Sequence, residues 1–207
     1  MVFDGRMADQ WTIVVPVKGF AQAKSRFADA STRDLLARAF ATDLISAALH
    51  TPDVTSVIVV SDDPDTRAFV TSLGAHPVAD SGAGLNAAIC AGAAAHHPVA
   101  AVLGDLPCVR PEDLSWALRQ GAEYERSYIA DASGTGTTIL MCTRGALDPH
   151  FGSRSAAAHA VSGARRIDGA SPALHRDVDT EVDLWDAARI GVGEATGAVL
   201  AHSSAPR

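Results

Sequence analysis

Several features that are common in proteins are scarce in this sequence, and each absence excludes a class of site. The 207 residues include only three cysteines, Cys90, Cys108 and Cys142, and they form no Cys-x-x-Cys pair. Scattered cysteines in an odd number indicate neither a disulfide framework nor a zinc site. We expect three free thiols that serve as small core residues in a reducing cytosol.

Long hydrophobic runs are also missing. No segment reaches the roughly 18 uninterrupted apolar residues of a membrane span. The first ten residues, MVFDGRMADQ, contain two acids and lack the apolar region of a secretory signal. The sequence therefore predicts a soluble cytoplasmic protein with no membrane partner.

Positive charge is the third shortage. Lysine and arginine number 17 against 24 acids, which gives a net charge of -7 and a pI near 5.5. Because phosphate backbones are held by clustered cations, this balance argues against nucleic acid as a partner. A small anionic ligand needs only local cations and stays compatible with the sequence.

What is present is an alternation of apolar strands and amphipathic helices. Near-continuous apolar strands separated by helices predict βαβ units, an α/β fold with a mostly parallel sheet covered on both faces. The turn-rich ASGTG between SYIAD and TTILM predicts a small antiparallel excursion. The predicted strands are 12–17, 54–60, 76–78, 99–104, 127–131 and 137–141, with a last short strand before residue 176; the predicted helices are 31–50 with Ser31 as its cap, 64–74, 85–96, 111–120, 155–161 and the end of 177–190.

The length suits one domain. We assign residues 11–200 to it, with a disordered N-terminus over residues 1–10 and a loose tail over residues 201–207.

Ligands in parallel α/β sheets bind outside the carboxyl ends of the strands, so residues that follow strands are the candidates for a site. The loop after the first strand contains Lys18, Lys24 and Arg26 but neither GxxxxGK[ST] nor GxGxxG. Two interpretations stay open: a solvated loop, or a loop that holds a polyphosphate.

Acidic residues follow two later strands. Asp105 ends the apolar run VAAVLG, where an acid is either a helix-capping residue or a metal ligand. Asp177 and Asp179 stand two apart and share one face of an extended segment, although Asp179 or Thr180 could instead cap the last helix. Mg²⁺ is typically bound by one or two carboxylates together with substrate phosphates, so these acids are plausible ligands.

Three further stretches have two interpretations each. GTGTT (134–138) and FGSRS (151–155) are either turns or close-approach loops for an anion. In SGAGLN (81–86), Asn86 either caps the following helix, which the local pattern favours, or reads a base. His159, on a helix, is more typical of a surface or core position than of catalysis, and no Ser-His-Asp or Cys-His set is evident.

Six stretches together resemble the phospholactate/phosphoenolpyruvate guanylyltransferases of deazaflavin coenzyme F(420) biosynthesis, relatives of the molybdenum-cofactor guanylyltransferases. The stretches are VPVKGFAQAKSRF, GLNAAI, LGDLP, DASGTGTTIL, FGSRSAAAH and RDVDTEVDL, in the family's order over nearly the whole chain. One departure is Ser153, which follows Gly152 where the family usually has proline. The glycine-rich LAGG-type opening of the molybdenum branch is absent.

The resemblance implies a single-domain, three-layer α/β/α nucleotidyltransferase fold of the MobA-like, Rossmann-like type. It implies transfer of GMP from GTP to phosphoenolpyruvate or 2-phospho-L-lactate, with release of pyrophosphate and with Mg²⁺ as cofactor. Phosphoenolpyruvate is favoured because the sequence is most similar to the actinobacterial branch. The product would pass to a downstream transferase; whether the enzyme is a homodimer stays open.

The resemblance also implies residue roles. The nucleotide would be held by Lys18, Lys24, Arg26 and Asn86; the acid by Thr137, Gly152 and Ser155; the metal by Asp105, Asp177 and Asp179; Asp105, Asp177 and Lys24 would be catalytic. Two other classes stay open: another nucleotidyltransferase of this fold, of cytidylyl or molybdenum-cofactor type, and a non-catalytic nucleotide-binding module.

Overall fold

A computed structural model of the protein describes residues 10–20, 30–94 and 96–203, with the side chains of residues 30, 31 and 203 left aside. Seven strands and eight helices alternate along these residues. The strands are β1 Trp11–Pro16, β2 Val54–Ser61, β3 His76–Ala79, β4 Val99–Val102, β5 Arg126–Ala130, β6 Thr137–Cys142 and β7 Arg165–Arg166. The helices are α1 Ala30–Leu49, α2 Pro64–Ser72, α3 Leu85–Ala93, α4 Pro111–Gly121, α5 Ser155–Val161, α6 Pro172–His175, α7 Glu181–Ile190 and α8 Glu194–Ser203.

The strands form one sheet in the order β3-β2-β1-β4-β6-β5-β7. β6 runs antiparallel to both of its neighbours, and every other pairing is parallel. The prediction of a mostly parallel sheet with an antiparallel excursion is confirmed. The reversal of β6 matters for the site, because it brings the start of β6 to the edge where β1, β4 and β5 end.

Both faces of the sheet are covered, as the apolar strands predict. In β1, Ile13 and Val15 belong to the core cluster that includes residues of α1, α2 and α4. Val14, between them, packs in a second cluster with residues of α3 and α5. The alternation follows from the period of two in a strand, and it gives the three-layer α/β/α arrangement.

Helix boundaries follow local signals at most ends. Pro64 occupies the first turn of α2, and the Asp63 side chain caps it by accepting a hydrogen bond from the Thr66 N–H at 2.8 Å. The start of α1 departs from its prediction, since the helix begins at Ala30 and Ser31 lies inside it. Leu35 is an apolar residue of α1 but is 55% exposed.

The helix α8 has no counterpart in the predicted elements. Its N-terminus is capped by Asp43 of α1, whose two carboxylate oxygens accept hydrogen bonds from the N–H groups of Ala195 and Thr196, both at 2.9 Å. α8 continues to Ser203, so the first residues of the predicted tail are helical. Gly193 lies directly against Asp43, and a β-carbon there would overlap the carboxylate.

The cysteines are free, but only two match the expected environment. Cys108 and Cys142 are buried, and burial raises the pKa of the Cys108 thiol to about 11. Cys90 is exposed, which corrects the expectation that it is a core residue. Within the described ranges, no helix is both long and apolar enough to cross a membrane.

The contact between Gly193 and Asp43 makes a testable prediction about stability. Gly193→Ala should lower the free energy of unfolding by roughly 1–3 kcal/mol, because the new methyl group displaces a carboxylate held by two N–H groups. Gly197→Ala is the matched control in the same helix, where a β-carbon meets no atom within 4 Å. We expect the control to be neutral or stabilising by up to about 1 kcal/mol. Urea unfolding measures both; equal effects would contradict the interpretation of Asp43 as a rigid cap.

Candidate active site

The carboxyl ends of β1 and β4 and the start of β6 meet at one edge of the sheet. β4 lies between β1 and β6, and the Leu103 N–H donates to the Thr138 carbonyl oxygen at 3.0 Å. Gly104 allows the close approach, since a β-carbon there would lie 3.1 Å from the Pro16 carbonyl oxygen. Lys18, Asp105 and Thr137, predicted from separate stretches, therefore share this edge.

A segment that connects α6 to α7 crosses the same edge and brings Asp177 there. The helix α6 before this segment is attached to the sheet by two hydrogen bonds. The Thr138 hydroxyl donates to the Leu174 carbonyl oxygen at 2.6 Å, and Nδ1 of the His175 ring lies 2.7 Å from the Ala130 carbonyl oxygen. The Val178 N–H donates to the Asp105 carbonyl oxygen at 3.1 Å. Asp177 is thereby fixed beside Asp105.

The carboxylates at this edge repel one another. Burial, and after it the negative charges of Asp105, Asp131 and Asp179, together raise the pKa of Asp177 to about 6. A raised carboxyl pKa means that the ionised form is disfavoured, which is the situation that a bound cation relieves. Asp105 and Asp177, which the sequence analysis selected from separate stretches, therefore lie close together in the structure.

The Asp179 side chain does not cap α7, although its backbone N–H donates to the Asp183 carboxylate at 3.2 Å. Thr180 caps α7 by accepting a hydrogen bond from the Asp183 N–H at 3.3 Å, and the Asp183 side chain accepts from the Thr180 N–H at 2.9 Å. Of the two capping candidates in the sequence, Thr180 is the cap. No cluster of three or more histidines, cysteines or acids with metal-binding geometry occurs among the described residues.

Thr137 belongs to a chain of hydrogen bonds through a buried histidine. The Thr137 hydroxyl lies 2.9 Å from Nδ1 of His159, a residue with 0% exposure. Nε2 of the same ring accepts a hydrogen bond from the His150 backbone N–H at 2.9 Å. The Phe151 ring meets the His159 ring edge-on at 5.1 Å between centroids. The histidine thus joins β6 to the loop that precedes Gly152.

Asn86 holds the next residue of that loop. Its side-chain amide donates to the Phe151 carbonyl oxygen at 3.1 Å and accepts from the Phe151 N–H at 2.8 Å. The favoured interpretation of Asn86 as a helix cap is wrong, because α3 begins after Gly84 without a side-chain cap. The cap could not be judged locally, since the amide's partner is 65 residues away.

Gly152 and Ser155 flank the start of α5. Gly152 is exposed and has φ 135°, a conformation that side chains rarely adopt. Ser155 is 2% exposed and is the first residue of the helix. The Ala156 N–H donates to the Thr135 carbonyl oxygen at 3.1 Å, which attaches the helix start to the turn before β6. The three residues predicted to bind the acid, Thr137, Gly152 and Ser155, therefore belong to one connected region.

The sequence analysis named two residues whose positions the structure does not describe, and it missed two others. Lys24 and Arg26 lie outside the described residues, and Lys18 is exposed after β1. Asp131 was missed although it directly follows β5, so the rule about strand ends could have found it. His159 was treated as uninformative, and no sequence signal distinguishes it from an ordinary core histidine.

A family model and a named relative both match most of the chain. The family model "Guanylyl transferase CofC like" matches residues 11–194. A protein of Geodermatophilus obscurus named phosphoenolpyruvate guanylyltransferase is 44% identical in an alignment of 207 positions that covers 95% of this chain and 96% of that protein.

Solved structures share the fold at low identity. A 4-diphosphocytidyl-2C-methyl-D-erythritol synthase superposes with a TM-score of 0.59 at 12% identity, over 89% of this chain and 99% of that one. Rv0371c of Mycobacterium tuberculosis H37Rv, determined as a complex with manganese, gives a TM-score of 0.51 at 23% identity, over 86% of this chain and 97% of that one. The length of the family match and the identity to the relative lead to one conclusion: the chain belongs to the family of CofC-like guanylyl transferases.

Proposed function

We propose that the protein transfers GMP from GTP to phosphoenolpyruvate and releases pyrophosphate, as a step of coenzyme F(420) biosynthesis. Membership of a guanylyl transferase family makes it a nucleotidyltransferase. The choice of acid is supported by the relative named phosphoenolpyruvate guanylyltransferase. The structural observation that carries the proposal is the pairing of Asp105 with Asp177, whose raised pKa marks a site suited to a phosphate-bound cation.

The donor set at this pair fits Mg²⁺. Two carboxylates at a strand end leave most of an octahedral shell to water and to substrate phosphates, which is how Mg²⁺ is commonly bound in nucleotide enzymes. We assign Asp105 and Asp177 as its ligands, with Asp179 close behind them as a further negative charge. The manganese complex of Rv0371c is compatible with a divalent ion in this fold. Bound there, the ion would neutralise charge that develops on the phosphates.

The chemistry requires positioning more than a protein nucleophile. An oxygen of the acid's phosphate attacks the α-phosphorus of GTP in line, the bond from that phosphorus to the bridging oxygen breaks, and pyrophosphate leaves with the electron pair. A phosphate that is already ionised at neutral pH needs no general base. The residues of this chain therefore act by holding the two reactants in line and by balancing their charges.

On the nucleotide side, Lys18, Lys24 and Arg26 are assigned to the triphosphate and to the departing pyrophosphate, and Lys24 is also assigned a catalytic role. Asn86 is assigned to the guanine side. Its amide spends one N–H and one oxygen lone pair on Phe151, so a second N–H and a second lone pair can still face a base.

On the acid side, Thr137, the Gly152 N–H and Ser155 are assigned to the carboxylate and phosphate of phosphoenolpyruvate. All three are neutral donors, and hydrogen bonds from neutral donors to anions are stronger than those between neutral groups. We place the enzyme in the cytoplasm, where GTP is supplied, and expect its reactive diphosphate product to be consumed by a downstream transferase.

The carboxylate assignment predicts a separation of activity from stability. Asp105→Asn and Asp177→Asn should each lower turnover at least roughly 100-fold, because each removes a charge from the metal site. At pH 7 with chelator present, Asp177→Asn should melt at the same temperature as wild type or higher. The folded-state pKa of Asp177 is raised above its unfolded value, so ionisation at pH 7 costs stability that the amide does not lose.

Asp168→Asn is the matched control for these variants, since Asp168 has a 79% exposed side chain paired only with surface Arg166 in the described ion pairs. Its turnover should equal that of wild type. Normal rates in either site variant at ordinary Mg²⁺ concentration would refute the metal assignment.

The assignment of the loop after β1 to the nucleotide predicts that its cations affect GTP binding more than binding of the acid. Lys24→Ala and Arg26→Ala should weaken GTP binding, measured by calorimetry, more than they raise KM for the acid, because loop cations match a polyphosphate. Arg166→Ala, which removes an exposed cation of β7, is the control. Equal loss for both ligands, or loss for neither, would contradict the assignment.

The identity of the acid is tested by giving the enzyme each candidate acid separately. Phosphoenolpyruvate and 2-phospho-L-lactate differ at one carbon, planar in the first and tetrahedral in the second, a difference worth only roughly 1–3 kcal/mol in a pocket. Each acid is incubated with enzyme, Mg²⁺ and either GTP or CTP, and the product is identified by mass. We expect product from phosphoenolpyruvate and GTP. Product from phospholactate alone would overturn the choice of acid and leave guanylyl transfer intact.

A further inference from the structure

His159 contacts both halves of the region assigned to the acid substrate. Its ring is completely buried, with Nδ1 at 2.9 Å from the Thr137 hydroxyl oxygen and Nε2 at 2.9 Å from the His150 backbone nitrogen. The two contacts determine where the ring proton is.

A backbone N–H can only donate a hydrogen bond, so Nε2 must accept from His150 and carry no proton. The single proton of the neutral ring is therefore on Nδ1. Nδ1 in turn donates to the Thr137 oxygen, which acts as the acceptor in that bond. The hydrogen of the Thr137 hydroxyl is consequently not used by His159.

We propose that His159 is a positioning residue that fixes the Thr137 hydroxyl as a hydrogen-bond donor to the phosphorylated acid substrate. The proposal rests on the assignment of Thr137 to that substrate under the proposed function. An anion offers only acceptors, so a hydroxyl whose hydrogen is kept for it binds better than one that turns toward a protein acceptor. The buried ring supplies the tautomer that keeps it available.

The surroundings of His159 keep the ring neutral. Its pKa is lowered to about 4 by burial and, to a smaller extent, by the positive charges of His150 and Arg126, while Asp148 acts in the opposite direction. A protonated ring would place an Nε2–H against the His150 N–H. The hydrogen-bond geometry and the electrostatics therefore favour the same state.

His159 also supports the loop before Gly152, and a test must separate this support from the orientation of Thr137. The Phe151 ring packs on the imidazole, and Asn86 independently clamps the Phe151 backbone. Loss of the ring could thus disturb Gly152 without any role for the Thr137 hydrogen. The side chains chosen for the test must differ in hydrogen-bond polarity and hardly in size.

His159→Asn and His159→Asp form that pair. Asparagine can offer an N–H to Thr137, whereas ionised aspartate can only accept and so would take the Thr137 hydrogen. Assayed at about pH 8, where a buried aspartate is more fully ionised, the aspartate variant should show a KM for phosphoenolpyruvate about 10- to 100-fold above that of the asparagine variant. GTP affinity should be similar in both. Equal KM values for the acid would overturn the proposal.

Two further measurements guard against misfolding of the aspartate variant. The surface change His202→Asp, at an exposed position near the end of α8, is the control for charge and should leave both KM values unchanged. In a double-mutant cycle, His159→Leu should raise the acid KM in the wild-type background but have little further effect with Thr137→Val, since no hydroxyl remains to orient. An undiminished effect in the Thr137→Val background would reduce His159 to a packing residue.

The tautomer itself is measured without substrate. Nitrogen-15 spectra of labelled protein should show His159 with a protonated Nδ1 and a bare Nε2 from about pH 6 to 8. A proton on Nε2 would overturn the proposal even if the enzyme is active. Conversely, failure of wild-type enzyme to use any phosphorylated acid would refute the proposed function while the spectra still report the ring, so the two failures are distinguishable.

Discussion

The structure of the site depends on holding two carboxylates together against their mutual repulsion. Asp105 and Asp177 approach each other although burial and neighbouring charge already disfavour ionisation of Asp177. Three hydrogen bonds hold α6 and the segment after it against this edge of the sheet: from the Thr138 hydroxyl to the Leu174 carbonyl oxygen, from the Val178 N–H to the Asp105 carbonyl oxygen, and between the His175 ring and the Ala130 carbonyl oxygen. Because the two carboxylates are already in place, the protein needs little reorganisation when a cation binds.

The remainder of the site is attached to this edge through β6. Because β6 runs against its neighbours, its first residue, Thr137, lies where β4 ends instead of at the opposite side of the sheet. His159 and Asn86 then hold two consecutive residues, His150 and Phe151, from different elements. The loop before Gly152 is therefore held by side chains from two other elements, His159 of α5 and Asn86 of α3.

Long-range polar contacts also explain how the helical layer is completed. Asp43 of α1 caps α8 from 152 residues earlier in the chain, and Gly193 provides the space for it. Leu36 and Phe40 of α1 share a core cluster with residues of α7 and α8. The buried Asp43 carboxylate and this apolar patch thus attach the C-terminal helices to α1, and the Gly193 N–H adds a hydrogen bond to the Pro107 carbonyl oxygen at 2.8 Å.

The sequence by itself determined the elements with local causes. Apolar runs predicted β1, β2 and β4, and the rule about strand ends selected Asp105. The same rule selected Asp177, but the expected strand before it is wrong, because Asp177 follows the helix α6. Boundaries were less well predicted: α3 ends at Ala93 and β4 at Val102, both earlier than their patterns indicate. The short α6 and the helix α8 were missed, the latter because its cap is supplied by Asp43 from a distant part of the chain.

Only the tertiary structure decided how side chains are used. Asn86 has the local features of a cap but binds Phe151, and Thr180, not Asp179, caps α7. His159 has no distinguishing pattern in sequence, yet its two ring nitrogens contact the Thr137 hydroxyl on β6 and the His150 N–H in the loop before Gly152. Periodicity reports which face of an element is apolar, but a hydrogen bond between residues far apart in the chain exists only once the fold has set their distance and direction.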